Sequence, residues 1–309
     1  MENSLPKISA IITTYNSQKS IQRVLDCIKK QEGIHAEFEI ELVIVDDCST
    51  DETVSIIKSN GLDYISTGAN SGGPNKGRNI GLKKASGDYI CIVDHDDEWF
   101  SEKIISMLPY LNMAPIITSG FTVIDTTIGK ESVITNQPKN NEGYIFYQKN
   151  ETFLTKLRRS EVGQNNYLGS VIYSNKLQHL LFEETYGMVD LDWGFKLFHQ
   201  QTSIEVCKSL YLRKIDGNNL SFNERYRLID YDFSINFLES TYKNEYPEEV
   251  DISIKKINGS MARYYYMIEN MSKARHYFLK SGINFKTGLY FLTSFFGYRI
   301  IKKHFNIFG

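Results

Sequence analysis

A short apolar run that empties into acids constrains this chain more than any other stretch. Tyr89-Ile-Cys-Ile-Val93 is β-branched and apolar, follows Gly87-Asp88, and reads as a buried strand. It ends in Asp94, Asp96 and Asp97, three carboxylates within four residues. Like charges at close range resist ionising together. A hard divalent cation, Mg2+ or Mn2+, relieves that repulsion, because it takes oxygen ligands and keeps positions open for water and substrate phosphates. The same segment also reads as a solvated turn capping a following helix, Ser101 to Leu111, through Asp97 or Ser101. Taken alone, it leaves both readings open.

The surrounding pattern supplies the frame. Ile8-Ser-Ala-Ile-Ile-Thr13 reads as a first strand, followed by a helix from Ser17 or Ser20 with Ile21, Val24, Leu25 and Ile28 at helical spacing. A second buried strand, Glu41 to Val45, ends in Asp46-Asp47, and Ser49 or Thr50 can cap the helix carrying Val54, Ile56 and Ile57. A weaker strand, Asp63 to Ser66, leads into the Gly-rich stretch Gly68 to Gly77 and a helix Arg78 to Ala85. Further on, Ile116 to Ile124 reads as a strand, Thr126 to Gly129 as a hairpin turn, and Gly169 to Tyr173 as a returning strand. This alternation predicts an α/β fold, a mostly parallel sheet with helices on both faces. Three strand ends rich in polar residues predict a nucleotide crevice at the carboxyl rim. Neither a GxxxxGK[ST] phosphate loop nor a GxGxxG dinucleotide motif is present. The glycines at 68, 72, 73 and 77 permit positive φ and close backbone approach. With Lys76 and Arg78 beside them they suit an anion, or else a plain flexible connection.

Composition narrows the surroundings. Four cysteines, Cys27, Cys48, Cys91 and Cys207, lie far apart with no CxxC pair, which fits core residues in a reducing, cytoplasmic compartment and argues against zinc or a disulfide framework. Met1 to Ser4 shows no basic segment followed by an apolar one, and no uncharged run reaches the ~18 residues of a membrane span. The net charge of −2 hides an asymmetry. Residues 255–309 hold ten Lys or Arg against Glu269 alone, net +9, which leaves −11 for residues 1–254. Within that region Arg263 to Leu279 is aromatic and helical in pattern. Thr287 to Tyr298 carries no charge and is followed by Arg299, Lys302, Lys303 and His304. The pattern fits an interfacial helix on an anionic membrane, and equally a helical hairpin packed on the catalytic domain or a homo-oligomer contact. No DNA- or RNA-reading motif accompanies the charge, so nucleic acid is not an expected partner.

Five motifs in order, Thr13-Thr-Tyr-Asn16, Val45-Asp-Asp47 with Ser49-Thr-Asp51, Gly77-Arg-Asn-Ile-Gly81, Gly87-Asp-Tyr-Ile90 and Asp94-His-Asp-Asp97, resemble glycosyltransferase family 2 over about residues 7 to 220. The resemblance implies the GT-A fold and an inverting, metal-dependent transferase. It implies that Thr13, Tyr15 and Asp47 hold the nucleotide base, Asp47 by accepting from a uracil N–H, with Arg78 close to the nucleotide. Asp94 and Asp96 match the DxD motif, Asp96 being the direct ligand of a Mn2+ or Mg2+ ion on the diphosphate. Asp190 matches the family's general base near the acceptor. Two departures stand out. The usual Glu-Asp pair is Val189-Asp190 here, and Asp216 stands where many relatives carry a His. Asp216 reads either as a further oxygen ligand or as a turn residue beside Gly217.

The expected division is a catalytic domain over residues 1–222, with a nucleotide-sugar half over about 1–124 and an acceptor half over about 125–222, then a helical, basic region over 223–309. The expected substrates are a nucleotide sugar, a UDP-sugar foremost, and a hydroxyl of a glycan or lipid-linked acceptor. The resemblance points to synthesis of a bacterial surface polysaccharide. A nucleotidyltransferase of similar fold would carry a basic Gly-rich loop after the first strand, and Thr13 to Ser17 is not one. A catalytically silent module that binds nucleotide sugars or partners is the remaining alternative.

Overall fold

The computed structural model describes residues 4–138, 142–186, 190–215, 224–282 and 284–296. In chain order its first elements are β1 (Lys7–Thr14), α1 (Ile21–Lys29), β2 (Glu39–Asp46), α2 (Thr53–Ser59), β3 (Ile65–Ser66), α3 (Asn75–Lys84), β4 (Tyr89–Asp94) and β5 (Glu98–Trp99). There follow α4 (Lys103–Met107), β6 (Ile116–Asp125), β7 (Lys130–Ile134), β8 (Tyr144–Tyr147), α5 (Glu151–Leu157) and β9 (Ile172–Ser174). The last are α6 (Leu191–Phe198), β10 (Ser203–Ile215), α7 (Glu224–Thr241), α8 (Pro247–Met267), α9 (Met271–Lys280) and α10 (Phe285–Phe296).

The strands form one sheet in the order β3-β2-β1-β4-β9-β6-β10-β5, with β7 added beside β6 and β8 beside β10. β3, β2, β1 and β4 are parallel neighbours. β9 runs antiparallel to both β4 and β6, so β6 and its parallel neighbour β10 point the same way as β1. The sheet is therefore mostly parallel, as the strand and helix alternation predicts. Its register brings the expected polar ends together. Thr13 stands opposite Val45 on one side and Asp94 on the other, while Asp46 stands opposite Thr14 and Ser66.

Sequence patterning explains the helices that line this rim. In α1 the apolar stripe Ile21, Val24, Leu25 and Ile28 is buried. α3 lies unusually close to β1 because of two glycines. A Cβ on Gly81 would meet Ile11 Cγ2 at 2.3 Å, and one on Gly77 would meet Thr13 Cγ2 at 3.0 Å. This close approach sets Arg78 and Asn79, between those glycines, against the strand ends.

Several local expectations are corrected. The helix expected over Ser101 to Leu111 is only α4 followed by a short turn, Leu108–Tyr110. Pro109 lacks an amide and crowds the preceding turn, which ends the helix. Neither Asp97 nor Ser101 caps α4, which starts after Glu102 without a side-chain cap, and the Ser101 hydroxyl instead donates to Glu32 at 2.6 Å. α2 begins after Glu52 rather than at Ser49 or Thr50. Ser49 is drawn back to the rim, its amide donating to Asp46 at 2.9 Å. α3 starts at Asn75, so Gly77 serves packing, while Gly68 and Gly72 do take positive φ.

By contacts the chain divides into two compact units, residues 1–153 with 162–219, and residues 154–161 with 220–309. The second is helical. Its core joins Met261, Ala262, Tyr265 and Tyr266 of α8 to Ala274 and Phe278 of α9 and Tyr290 of α10. Ring contacts carry much of it: Tyr265 stacks on Tyr277 at 5.6 Å and Phe278 on Tyr290 at 5.8 Å. The helical pattern over Arg263 to Leu279 is interrupted, since α8 ends at Met267 and α9 begins at Met271. Tyr298, Arg299, Lys302, Lys303 and His304 lie outside the described residues. Among the described residues no helix is long and apolar enough to cross a membrane.

Candidate nucleotide and acceptor site

The carboxyl ends of β1, β2 and β4 hold the expected nucleotide residues. Thr13 is buried at the end of β1, and Tyr15 just beyond it is exposed. Asp47, buried after β2, is fully engaged by the loop that follows β3. It accepts from the Thr67 hydroxyl at 2.7 Å, the Ser71 amide at 2.9 Å and the Ser71 hydroxyl at 3.0 Å. Its carboxylate thus fixes residues 67–73 over the rim.

Arg78 reaches the end of β4. Its buried guanidinium donates to Asp94 Oδ1 at 2.7 Å and to Asn75 Oδ1 at 3.1 Å, and lies 5.1 Å from the centre of the Phe182 ring. The ion pair and the ring contact orient it, because a guanidinium is planar and stacks on aromatic faces. One of its nitrogens, Nε, is buried without a hydrogen-bond partner.

Asp96 and Asp97 occupy the turn between β4 and β5. Burial pushes the Asp96 carboxyl above its ordinary range, and the charge of Asp94 adds to the rise. For Asp97 the rise is larger, again from burial first and then from Asp94 and Asp96, with Arg213 and Lys103 pulling it down. Asp97 faces inward: its Oδ2 lies 2.7 Å from where Gly169 would carry a Cβ, so only glycine fits there. Lys103 is wholly buried, donates to the Gly169 carbonyl at 2.9 Å and lies between the Trp99 and Tyr211 rings. Beyond the turn, Glu98 is ion-paired with both Arg23 and Lys214. The three acids thus divide: Asp94 turns to Arg78, Asp97 to the interior, and Asp96 is left with a carboxylate that burial and Asp94 disfavour more than His95 and Arg213 favour it.

That division bears on a metal. Among the described residues no three His, Cys, Asp or Glu side chains converge as a ready ion cage. A Mg2+-like cation needs only one or two carboxylates when substrate phosphates and water complete its shell. Asp96, with Asp94 beside it, fits that arrangement: two close carboxylates with an unrelieved repulsion suit a hard cation. Asp216, read as a further oxygen ligand or a turn residue, lies outside the described residues.

The expected acceptor side is tied to the same helix. Asn79 makes a two-way clamp on residue 182: its amide nitrogen donates to the Phe182 carbonyl at 2.9 Å, and its oxygen accepts from the Phe182 amide at 2.9 Å. Asn79 also donates to Glu184, and Asn75 donates to the Glu183 carbonyl at 2.9 Å. The Phe182 ring stacks flat on Trp193 of α6, centroids 4.6 Å apart and planes 9° apart. Asp190 precedes α6 and is exposed. It stands at the N-cap position but makes no side-chain cap bond to the helix. Asp192, in the first turn, is buried and paired with Lys196 at 2.6 Å, so the two acids of this helix start differ in surroundings. Val189 lies outside the described residues.

Sequence reading singled out Arg78, Asp94, Asp96 and Asp190 but missed what connects them. Phe182, Trp193 and Lys103 join the site through contacts spanning about a hundred residues or buried rings, which no local motif announces. Arg213 had a weaker signal, standing three residues before Asp216.

Comparison with known proteins bears on the family and the fold. The family model described as glycosyl transferase family 2 matches residues 9–174. Over 95 residues the chain is 44% identical to the poly(ribitol-phosphate) beta-N-acetylglucosaminyltransferase TarS of Staphylococcus aureus, covering 29% of this chain and 16% of that protein. It therefore spans only a small part of that relative's length. An uncharacterized glycosyltransferase of Haemophilus influenzae is 26% identical over 243 residues, 67% of this chain and 94% of the relative. The solved structure of TarS residues 1–349 with UDP-GlcNAc superposes with a TM-score of 0.55 at 18% identity, covering 97% of this chain and 92% of that one. The mannosyltransferase PcManGT of Pyrobaculum calidifontis, solved with GDP-Man and Mn2+, gives 0.57 at 13% identity over 97% and 84% of the two chains. These likenesses establish the GT-A fold, and the family match spans more than half of the sequence: the chain belongs to glycosyltransferase family 2.

Proposed function

We propose that the protein is an inverting, metal-dependent glycosyltransferase that moves a sugar from a UDP-sugar to a hydroxyl of a glycan or lipid-linked acceptor in bacterial surface polysaccharide synthesis. The observation that carries this reading is the carboxyl rim itself. Arg78 pairs with Asp94, Asp96 lies two residues on with its charged form disfavoured by burial and by Asp94, and the helix start bearing Asp190 is braced to the same place through Phe182 and Trp193. The donor class draws support from TarS, whose solved structure holds UDP-GlcNAc and whose name describes a β-linked N-acetylglucosaminyl product. A hexosyl or N-acetylhexosaminyl group is the transferred sugar. A nucleotide-sugar donor and widely spaced cysteines support a cytoplasmic reaction, at the inner face of the membrane if the acceptor is lipid-linked.

In this reading Thr13 and Tyr15 flank the nucleotide base, and Asp47 accepts its N–H in place of Ser71. Arg78 sits beside the diphosphate, held in place by Asp94 and Asn75. Asp96 and Asp94 would hold Mn2+ or Mg2+, which when bound offsets the negative charge that grows on the departing nucleoside diphosphate. Asp190 takes the proton from the acceptor hydroxyl as its oxygen attacks the anomeric carbon, which is general-base work. Attack opposite the leaving group turns an α-linked donor into a β-glycoside.

The test is a thermal-shift series with UDP, GDP, CDP and dTDP, each with and without Mn2+, on the wild type and Asp96→Ala. A ligand of the folded state alone, present at about a hundred times its Kd, raises the melting temperature by roughly 5 °C or more. The expected result is a UDP shift that requires Mn2+ and is lost in Asp96→Ala. If no nucleotide shifts the wild type with metal present, the catalytic assignment fails and a silent module that binds partners rather than nucleotide sugars takes its place.

A further inference from the structure

The outer face of α10 leaves large apolar side chains in water. Phe285 is 88% exposed, Leu292 62% and Phe295 53%, and Leu279 at the end of α9 is 62% exposed. Phe285, Leu292 and Phe295 are spaced seven and three residues apart, which sets them on one side of the helix. Leu279 and Leu292 share the walls of a shallow apolar cleft of about 240 Å3 with Phe278 and Phe291. The opposite side of α10 has already met its packing needs, since Tyr290 is buried against Tyr266 and Phe278. The outward row is therefore not a failed core. Scattered exposed apolar residues are ordinary on a protein surface, but a continuous row of large ones marks a surface that meets something.

Charge narrows what it meets. The Arg275 guanidinium lies 4.5 Å from the centre of the Phe295 ring while donating to the Ser294 carbonyl at 3.0 Å. Lys280 directly follows Leu279, and the Lys255 stem passes 3.6 Å from where Gly282 would carry a Cβ. No acid occurs anywhere from residue 270 to residue 309. A protein partner would need an apolar groove rimmed by acids to match both the cations and the aromatic row. An anionic bilayer satisfies both, with phosphates outside and acyl chains within. At twelve residues α10 is about 18 Å long, too short to span but suited to lie in the interface.

We propose that the face of α10 bearing Phe285, Leu292 and Phe295, with Leu279 beside it and Arg275 and Lys280 flanking it, seats the C-terminal unit on an anionic phospholipid bilayer. This goes beyond the transfer reaction and does not depend on it.

The experiment is co-sedimentation of the full chain with vesicles of phosphatidylcholine alone, or with roughly one lipid in three replaced by phosphatidylglycerol. The protein pellets with the anionic vesicles, little with the neutral ones, and comes off as salt shortens the reach of the charges. The double variant Phe285→Ser, Leu292→Ser loses binding by about a hundredfold, since each buried apolar side chain is worth about tenfold. Both side chains stand in water, so the variant keeps the wild-type melting temperature and whatever nucleotide response the wild type has. That control separates this proposal from the donor assignment. Absence of binding to anionic vesicles overturns it, as does equal binding by the double variant. A dimer seen by light scattering and abolished by the same variant, without vesicle binding, also overturns it and assigns the face to a second copy of the chain.

Discussion

Glu41 and Asp96 lie toward opposite ends of the same block of parallel strands, and the fold treats their carboxylates in opposite ways. Near the amino end, Glu41 accepts from the Ser9 hydroxyl, from the Ser86 amide at 2.8 Å and hydroxyl at 2.7 Å, and from Lys7 at 3.1 Å. Burial pushes its pKa up, yet these bonds outweigh it and hold the carboxyl at about 2. At the carboxyl end, Asp96 and Asp97 are raised by burial and by their neighbours' charges. A carboxylate that the fold satisfies holds the fold together. One left with unrelieved charge is a cost that makes sense where a ligand supplies what is missing. Both clusters look alike in sequence, acids near strand ends, and differ only in what surrounds them.

The sharpest way to test that contrast is Asp96→Asn. It keeps the shape and removes the charge. Transfer from a UDP-sugar at saturating Mn2+ is expected to fall by about a thousandfold, on the order of 4 kcal/mol of transition-state stabilisation. Steady-state kinetics read it. A loss under tenfold would mean that the rim's acids are not where the reaction's charge is met.

Asn79→Ala tests the brace between the two halves of the site. It removes three hydrogen bonds from a buried side chain, two of them to the Phe182 backbone. The expected cost is about 2–3 kcal/mol of unfolding free energy, because the Phe182 amide and carbonyl lose their partners. The turnover number should fall while the UDP affinity stays within about twofold, since Arg78 and Asp94 remain paired. Equal losses in both would show that residues 182–184 serve the donor and not the acceptor.

The asymmetry in legibility has a physical origin. Strands β1, β2 and β4 were readable because burial on both faces forces continuous β-branched runs, and α1 because one buried face forces a 3.6-residue period. The Gly77-Arg-Asn-Ile-Gly81 stretch was readable as a motif but not as a mechanism. Its glycines matter through Ile11 and Thr13 on a strand more than sixty residues earlier. Helix starts were misplaced at α2 and α4 because Ser49 and Ser101 found partners outside the helix, Asp46 and Glu32. Local capping preference loses to another acceptor, a strand-end acid three residues back for Ser49 and a distant one for Ser101. Phe182 and Trp193 were hidden altogether, since a stacked ring looks in sequence like any core aromatic.

The smallest expected effect sharpens the comparison from the quiet end. Glu41→Gln should destabilise the protein at neutral pH by only about 1 kcal/mol, because Lys7 is partly exposed and water screens the pair. Its diagnostic value lies in the pH dependence. The Glu41 carboxyl is lowered from 4.5 to about 2 on folding, so its contribution is fully present above 4.5 and is lost as the pH falls toward 2. Urea midpoints measured across that window should drop more steeply for the wild type than for Glu41→Gln, and the two curves should converge at the acid end. Asp96→Asn, measured at neutral pH without metal, should show no loss of midpoint, because removing a charge that burial and Asp94 disfavour relieves the folded state. If Asp96→Asn destabilised as Glu41→Gln does, the two rims would be doing the same structural work and the carboxyl end would lose its distinction as a ligand site.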